Sequence, residues 1–96
     1  MNSKSSNAFT LFALAKEYEA LSELERAIQY YDQLEKNFPE NTGFYYHYAQ
    51  VMQVNNNLEE FKRIIKKGIE VCKKAGDTHA LAELLGLYNQ YIEDDE

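Results

Sequence analysis

The sequence predicts an all-α fold of about five antiparallel helices, and three observations carry that expectation. In LFALAKEY, residues 11–18, Leu11, Leu14, Ala15 and Tyr18 stand at i, i+3, i+4 and i+7, the spacing of one face of an α-helix. Thirty-four residues later Tyr45, Tyr48, Ala49 and Met52 repeat those offsets, so FYYHYAQVM (44–52), which propensity alone makes a β-strand, is a copy of a helix. One proline and four glycines in 96 residues, with Glu, Lys, Leu and Ala abundant, leave little room for turn-rich structure. At this length, 45% hydrophobic content supplies the core of one small domain, residues 1–96, and little more.

The elements follow in order. Residues 1–7 are polar and expected to fray, with Asn7 as the N-cap of a first helix to about Ala20. Ser22-Glu23-Leu24-Glu25 has the form of a capping box, the serine hydroxyl accepting from the third backbone N–H while Glu25 reaches back. The second helix then carries Ala27, Tyr31, Leu34 and Phe38 at i, i+4, i+7 and i+11, and Pro39 stops it by disfavouring a helical residue before it. PENTG is a turn, with Asn41 or Thr42 capping a third helix to about Val54, and NNN a polar connector. Asn57 and Glu60 repeat the capping pattern ahead of a fourth helix, whose Phe61, Ile65, Gly68 and Cys72 have the offsets of the second. Gly76 supplies a left-handed C′ residue and Asp77 or Thr78 the next cap; a fifth helix runs to about Ile92, leaving residues 93–96 as a solvated acidic tail. Ala15, Ala49, Gly68 and Gly86 mark expected close helix crossings, since glycine costs about 1 kcal/mol in a helix interior and needs packing to offset it.

Composition sets bounds on function. No apolar run reaches the roughly 18–20 residues that span a bilayer, and MNSKSSN has no apolar signal core, so the expectation is a cytoplasmic protein with no membrane partner. The single Cys72 cannot form an internal disulfide and is expected to be a buried structural thiol. A net charge of -6 opposes non-specific nucleic-acid binding. Six of the ten Lys and Arg fall between residues 58 and 75 (Lys62, Arg63, Lys66, Lys67, Lys73, Lys74), on a helix whose apolar stripe is needed for packing, so they read as a solvated outer face. His47 and His79 join no metal-ligand spacing, there is no GxSxG, P-loop or GxGxxG, and the acidic pairs sit at caps and tail. Neither catalysis, nor a metal, nor a cofactor is expected.

Residues 8–92 resemble the tetratricopeptide repeat, a 34-residue helix-turn-helix unit. In residues 8–41 Leu11 takes the Trp position of that pattern, Leu14-Ala15 the Leu-Gly, Tyr18 the Tyr, Ala27 the small residue, Tyr31 the aromatic and Pro39 the closing Pro. Residues 42–76 match more loosely: Tyr45, Tyr48-Ala49 and Met52 fit, Phe61 replaces the small residue, Ile65 the aromatic, and the Pro is missing. Leu85-Gly86 follows Tyr48-Ala49 by 37 residues rather than 34, which predicts a fourth helix about one turn longer than usual, before a closing helix over 77–92. The resemblance implies a right-handed α-solenoid, similar to compact bacterial proteins with two repeats and a closing helix. For that helix the pattern of the residues favours an inward stripe of Leu81, Leu84, Leu85, Tyr88 and Ile92, whereas the family register puts Ala82, Leu85, Gly86 and Asn89 inward.

With the core stripes removed, Phe12, Lys16 and Glu19 recur at i, i+4 and i+7 in the first helix, and Tyr46, Gln50 and Gln53 in the third, with a large aromatic at the same position of both. By resemblance these positions, with Phe9 one turn earlier, line the concave groove that binds peptides in this family. The family's carboxylate clamp needs several basic and amide side chains, of which only Lys16 is in place; Phe12, Gln50, Glu83 and Leu87 occupy the others, which argues against a chaperone C-terminal carboxylate. The function expected is a non-catalytic protein–protein interaction module or scaffold that binds a peptide or helical segment of unknown identity. The alternative is a structural homo-oligomeric building block without a separate ligand. A monomer in exchange with a weak homodimer is expected, because two repeats and one helix leave an end under-covered.

Overall fold

A computed structural model of the chain describes the backbone of residues 3–95 and the side chains of residues 8–92. Among the described residues all regular structure is helical: α1 (Ser3–Ala20), α2 (Leu24–Asn37), α3 (Tyr45–Val54), α4 (Leu58–Ala75) and α5 (Thr78–Asp95). They form two compact units, Met1–Pro39 and Glu40–Glu96.

In the first unit α1 packs against α2. Ala15 on α1 and Ala27, Tyr31 and Leu34 on α2 are fully buried, as their periodicity predicts, while Leu11, Leu14, Tyr18 and Phe38 are half-buried. Tyr18 stacks on Tyr30 with ring centroids 5.7 Å apart and planes 4° from parallel, and the Arg26 guanidinium lies 5.5 Å from the Tyr18 ring. Helix α1 starts at Ser3, ahead of the expected Asn7 cap, because no glycine or proline interrupts residues 3–8 and each added residue gains a backbone hydrogen bond.

The Ser22 capping box does not form. Ser22 has φ 61°, in the left-handed region, whereas an N-cap needs extended backbone. It ends α1 instead: its N–H donates to the Glu19 carbonyl and the Glu23 N–H to the Tyr18 carbonyl, both at 2.9 Å, the paired bonds of a Schellman motif. The same motif closes α3 at Asn56 (φ 61°), with Asn56 N–H to Gln53 and Asn57 N–H to Met52, and α4 at Gly76 (φ 72°), with Gly76 N–H to Lys73 and Asp77 N–H to Cys72. Only the last was anticipated by a glycine. Phe38, with φ -138°, leaves the helical region before Pro39, as that proline requires.

In the second unit α3 packs on α4, and α5 packs on both. Phe44, Tyr45, Tyr48, Ala49, Val51 and Met52 are buried in this unit, as are Phe61, Ile64, Ile65 and Cys72 on α4 and Leu84 and Leu87 on α5. Gly68 is the closest crossing: a Cβ there would stand 2.8 Å from both Leu84 Cδ1 and Tyr45 Cβ, so all three helices meet where the side chain is absent. Helix α4 has 18 residues and α2 has 14, the extra turn that the 37-residue spacing predicts.

Several expectations change in this unit. Helix α3 begins at Tyr45, and neither Asn41 nor Thr42 caps it. Asn41 Oδ1 accepts from Gly43 N–H at 2.8 Å, tightening the turn, and Thr42 Oγ1 donates to Asp77 Oδ2 at 2.6 Å. Asn57 does cap α4, accepting from Glu60 N–H at 3.3 Å, while Glu60 pairs with Arg63 at 2.9 Å. Asp77 caps α5, accepting from Ala80 N–H at 3.0 Å, and α5 continues past Ile92 to Asp95; the side chains of the expected acidic tail, 93–96, lie outside those described.

Helix α5 takes neither expected register. Its buried face is Ala80, Leu84 and Leu87, continued by Tyr91, whose ring centroid is 5.0 Å from that of Phe61. Leu85, Gly86, Asn89 and Ile92 are exposed, and an added Cβ at Gly86 meets nothing within 4 Å, so Gly86 is not a helix crossing. The seat for Leu84 beside Gly68 selects this rotation, since Ala80, Leu87 and Tyr91 lie one or two turns from Leu84 on the same side.

Candidate interaction surface

Helix α1 carries the first group of candidate residues. Phe9 is 79% exposed, whereas Phe12, Lys16 and Glu19 are half-buried beside the Ala15 stripe. Phe12 sets its ring edge-on to Tyr31 with centroids 6.3 Å apart, and the Tyr31 hydroxyl donates to Glu19 Oε2. Burial, and then the Glu19 carboxylate that accepts its proton, push the Tyr31 hydroxyl far above the ordinary phenol range. Phe12 and Glu19 are therefore held in place by a fully buried residue of α2 while keeping part of their surface in water.

Helix α3 carries the second group. Tyr46, Gln50 and Gln53 are half-buried, on a side not used by the Tyr45, Tyr48, Ala49 and Met52 stripe. Gln50 Nε2 donates to the Tyr46 hydroxyl at 3.2 Å, and the Tyr46 ring stands edge-on to His47 at 5.4 Å. Two primary amides offer both donors and acceptors, the complement of a peptide backbone, next to an aromatic ring that can cover apolar surface. This face carries no charge, so it favours shape and hydrogen bonding over ionic recognition.

Sequence reasoning missed other polar placements. Glu35, four residues after Tyr31, is buried on α2; that spacing was the signal available for it. The Thr42–Asp77 bond joins residues 35 apart and has no local signal. That hydroxyl, followed by the Ala80 N–H, holds the Asp77 carboxyl below the usual carboxylate range. Burial raises the Cys72 thiol, aided by Asp77, which keeps it protonated and unreactive. On α4, Lys62, Arg63, Lys66, Lys73 and Lys74 are exposed; Lys62 lies over the Tyr91 ring at 5.6 Å, and Lys73 and Lys74 complement the helix C-terminus. Among the described residues no three His, Cys, Asp or Glu side chains come together to hold a metal ion, and no helix is long and apolar enough to cross a membrane.

Paired helices that bury one stripe and leave a second, partly aromatic face at the surface define a helical-repeat protein. Residues 9–51 match the family model of the tetratricopeptide repeat. The chain is also similar to a tetratricopeptide repeat domain protein from Salinibacter ruber of known crystal structure, at 26% identity and a TM-score of 0.81, over 86% of this chain and 92% of that one. No curated protein matches the sequence. The two matches support a tetratricopeptide-repeat protein, and the fold is that family's all-α solenoid type. That fold is generally a non-catalytic module for binding other proteins.

Proposed function

We propose that this chain is a non-catalytic interaction module of the cytoplasm that binds a peptide or helical segment of a partner protein. The contacting residues are Phe9, Phe12, Lys16 and Glu19 of α1 and Tyr46, Gln50 and Gln53 of α3. One observation supports this most directly: Tyr46 and Gln50 are hydrogen-bonded to each other on a half-exposed side of α3 that its core stripe does not use. A side chain fixed in place before binding loses less entropy when a ligand arrives. The test is selection of binders from a displayed random-peptide library, followed by affinity measurement on Tyr46→Ala. The variant is expected to lose about 1–3 kcal/mol of binding with its helical circular dichroism unchanged. Equal affinity for variant and wild type refutes the assignment of Tyr46.

A further inference from the structure

The positive charge of the chain is gathered on α4. Residues 58–75 hold six Lys and Arg against three acids, a net +3, while all other residues together hold four against thirteen, a net -9. Helix α4 buries Phe61, Ile64, Ile65, Gly68 and Cys72. On its opposite side the cations form two rows of one spacing, Lys62, Lys66 and Lys73 at i, i+4 and i+11, and Arg63, Lys67 and Lys74 beside them. Each row runs for about 16 Å. The Arg63 guanidinium is held by both carboxylate oxygens of Glu60 at 2.9 to 3.2 Å, and Lys62 lies over the Tyr91 ring. Among the described residues Lys66, Lys73 and Lys74 form no ion pair, although Glu70 stands within one turn of each. At the C-terminal end of the rows Lys67, Glu70, Val71, Lys73 and Lys74 line a surface hollow of about 540 Å³, its wall made largely of lysine stems and the Val71 side chain.

We propose that this hollow, with the lysine rows leading to it, docks an acidic segment of a partner protein that carries spaced Asp or Glu residues around an apolar side chain. The carboxylates lie against Lys66, Lys67, Lys73 and Lys74, and the apolar side chain against Val71. Charge complementarity and shape together choose this occupant. Lys66, Lys73 and Lys74 take up carboxylates in charge-assisted hydrogen bonds without first breaking an ion pair. Glu70 stands among them and repels an unbroken run of carboxylates, so the acids must be spaced. The uneven charge also limits the size of the ligand. Screening acts within about 8 Å at physiological ionic strength, so a short segment feels the +3 face alone. An anionic bilayer or a nucleic acid is large enough to meet the repulsion of the remaining -9 as well. The one guanidinium of this face, the forked group that suits phosphate, is already engaged by Glu60. None of the residues assigned to peptide binding on α1 and α3 takes part, so the two readings stand or fall separately.

The test is a displayed random-peptide library selected on the full chain and counter-selected against the triple variant Lys66→Gln, Lys73→Gln, Lys74→Gln, whose three sites are exposed. Surviving peptides are expected to carry spaced Asp or Glu with at least one apolar residue. By fluorescence anisotropy a labelled survivor should bind the triple variant at least about tenfold more weakly than wild type, and wild type more weakly as salt is raised. Titrated into isotopically labelled wild type, the same peptide should shift the backbone amide resonances of residues 66–74, a readout that stands even if the variant does not fold. No survivors, survivors without acidic residues, or shifts confined to other helices overturn the proposal. Vesicles of phosphatidylserine with phosphatidylcholine and a single-stranded DNA oligonucleotide are titrated in parallel, and tighter binding of either than of the peptide overturns the choice of occupant.

Discussion

Ser22 and Asn56 hold backbone conformations that favour glycine. Each has φ 61° at the C′ position of a Schellman motif, where a Cβ crowds the following carbonyl at a cost of roughly 1–2 kcal/mol, less for asparagine than for serine. Nature's own solution at the equivalent site after α4 is Gly76, with φ 72°. Ser22→Gly is therefore expected to stabilise the fold by about 1 kcal/mol and Asn56→Gly by less, read as urea midpoints. A loss of stability in Ser22→Gly contradicts the left-handed assignment and restores serine's role as an N-cap, where glycine is weaker. These two sites were illegible in the sequence because serine is ordinarily a helix start, and an asparagine within NNN is not the glycine that marks a left-handed stop. The hydrogen bonds that choose between the roles come from the preceding helix.

At the scale of elements, two glycines in helix interiors have opposite meanings. Gly68 faces Leu84 and Tyr45, and a methyl there overlaps both at 2.8 Å, whereas Gly86 faces open space. Gly68→Ala is expected to destabilise by about 1–3 kcal/mol even though alanine favours helix, because overpacking at a three-helix junction outweighs propensity. Gly86→Ala is expected to stabilise by up to about 1 kcal/mol, because alanine favours helix and its methyl meets nothing there. Thermal or urea melts of the pair decide it: equal effects of the two substitutions remove the Gly68 seat as the reason for the α5 rotation. Both glycines read alike as small residues in a helical pattern. Contact across helices separates them, and a single-chain pattern holds no record of that.

Across the whole molecule, acid stability should bear the mark of Asp77. This one residue closes the α4 Schellman motif with its N–H, caps α5 with its carboxylate and accepts from Thr42, so it joins three segments of the second unit. Its folded-state pKa lies below the unfolded value, chiefly through the Thr42 hydroxyl. Its contribution is therefore fully present above the unfolded carboxylate pKa of about 3.9 and is lost as pH falls through the lower, folded value. Asp77→Asn, which keeps an acceptor but no charge, should be less stable than wild type at neutral pH, with the difference shrinking below about pH 4. A gap of constant size down to pH 2 places the effect outside ionisation.

The sequence by itself determined the helices and most of their buried stripes: Ala27, Tyr31 and Leu34; Tyr45, Tyr48, Ala49 and Met52; Phe61, Ile65, Gly68 and Cys72. It also determined the Pro39 stop, the Asn57 cap and the longer α4, because periodicity and caps are local and each stripe had one apolar side. Of the candidate surface, the sequence singled out Phe12, Glu19, Tyr46 and Gln50, but not the Tyr31 hydroxyl that engages Glu19 or the bond between Tyr46 and Gln50. Only the tertiary structure decided the rotation of α5. That helix is apolar on two sides, so several inward faces satisfied its pattern equally, and the choice fell to the gap that Gly68 leaves for Leu84 on a different helix.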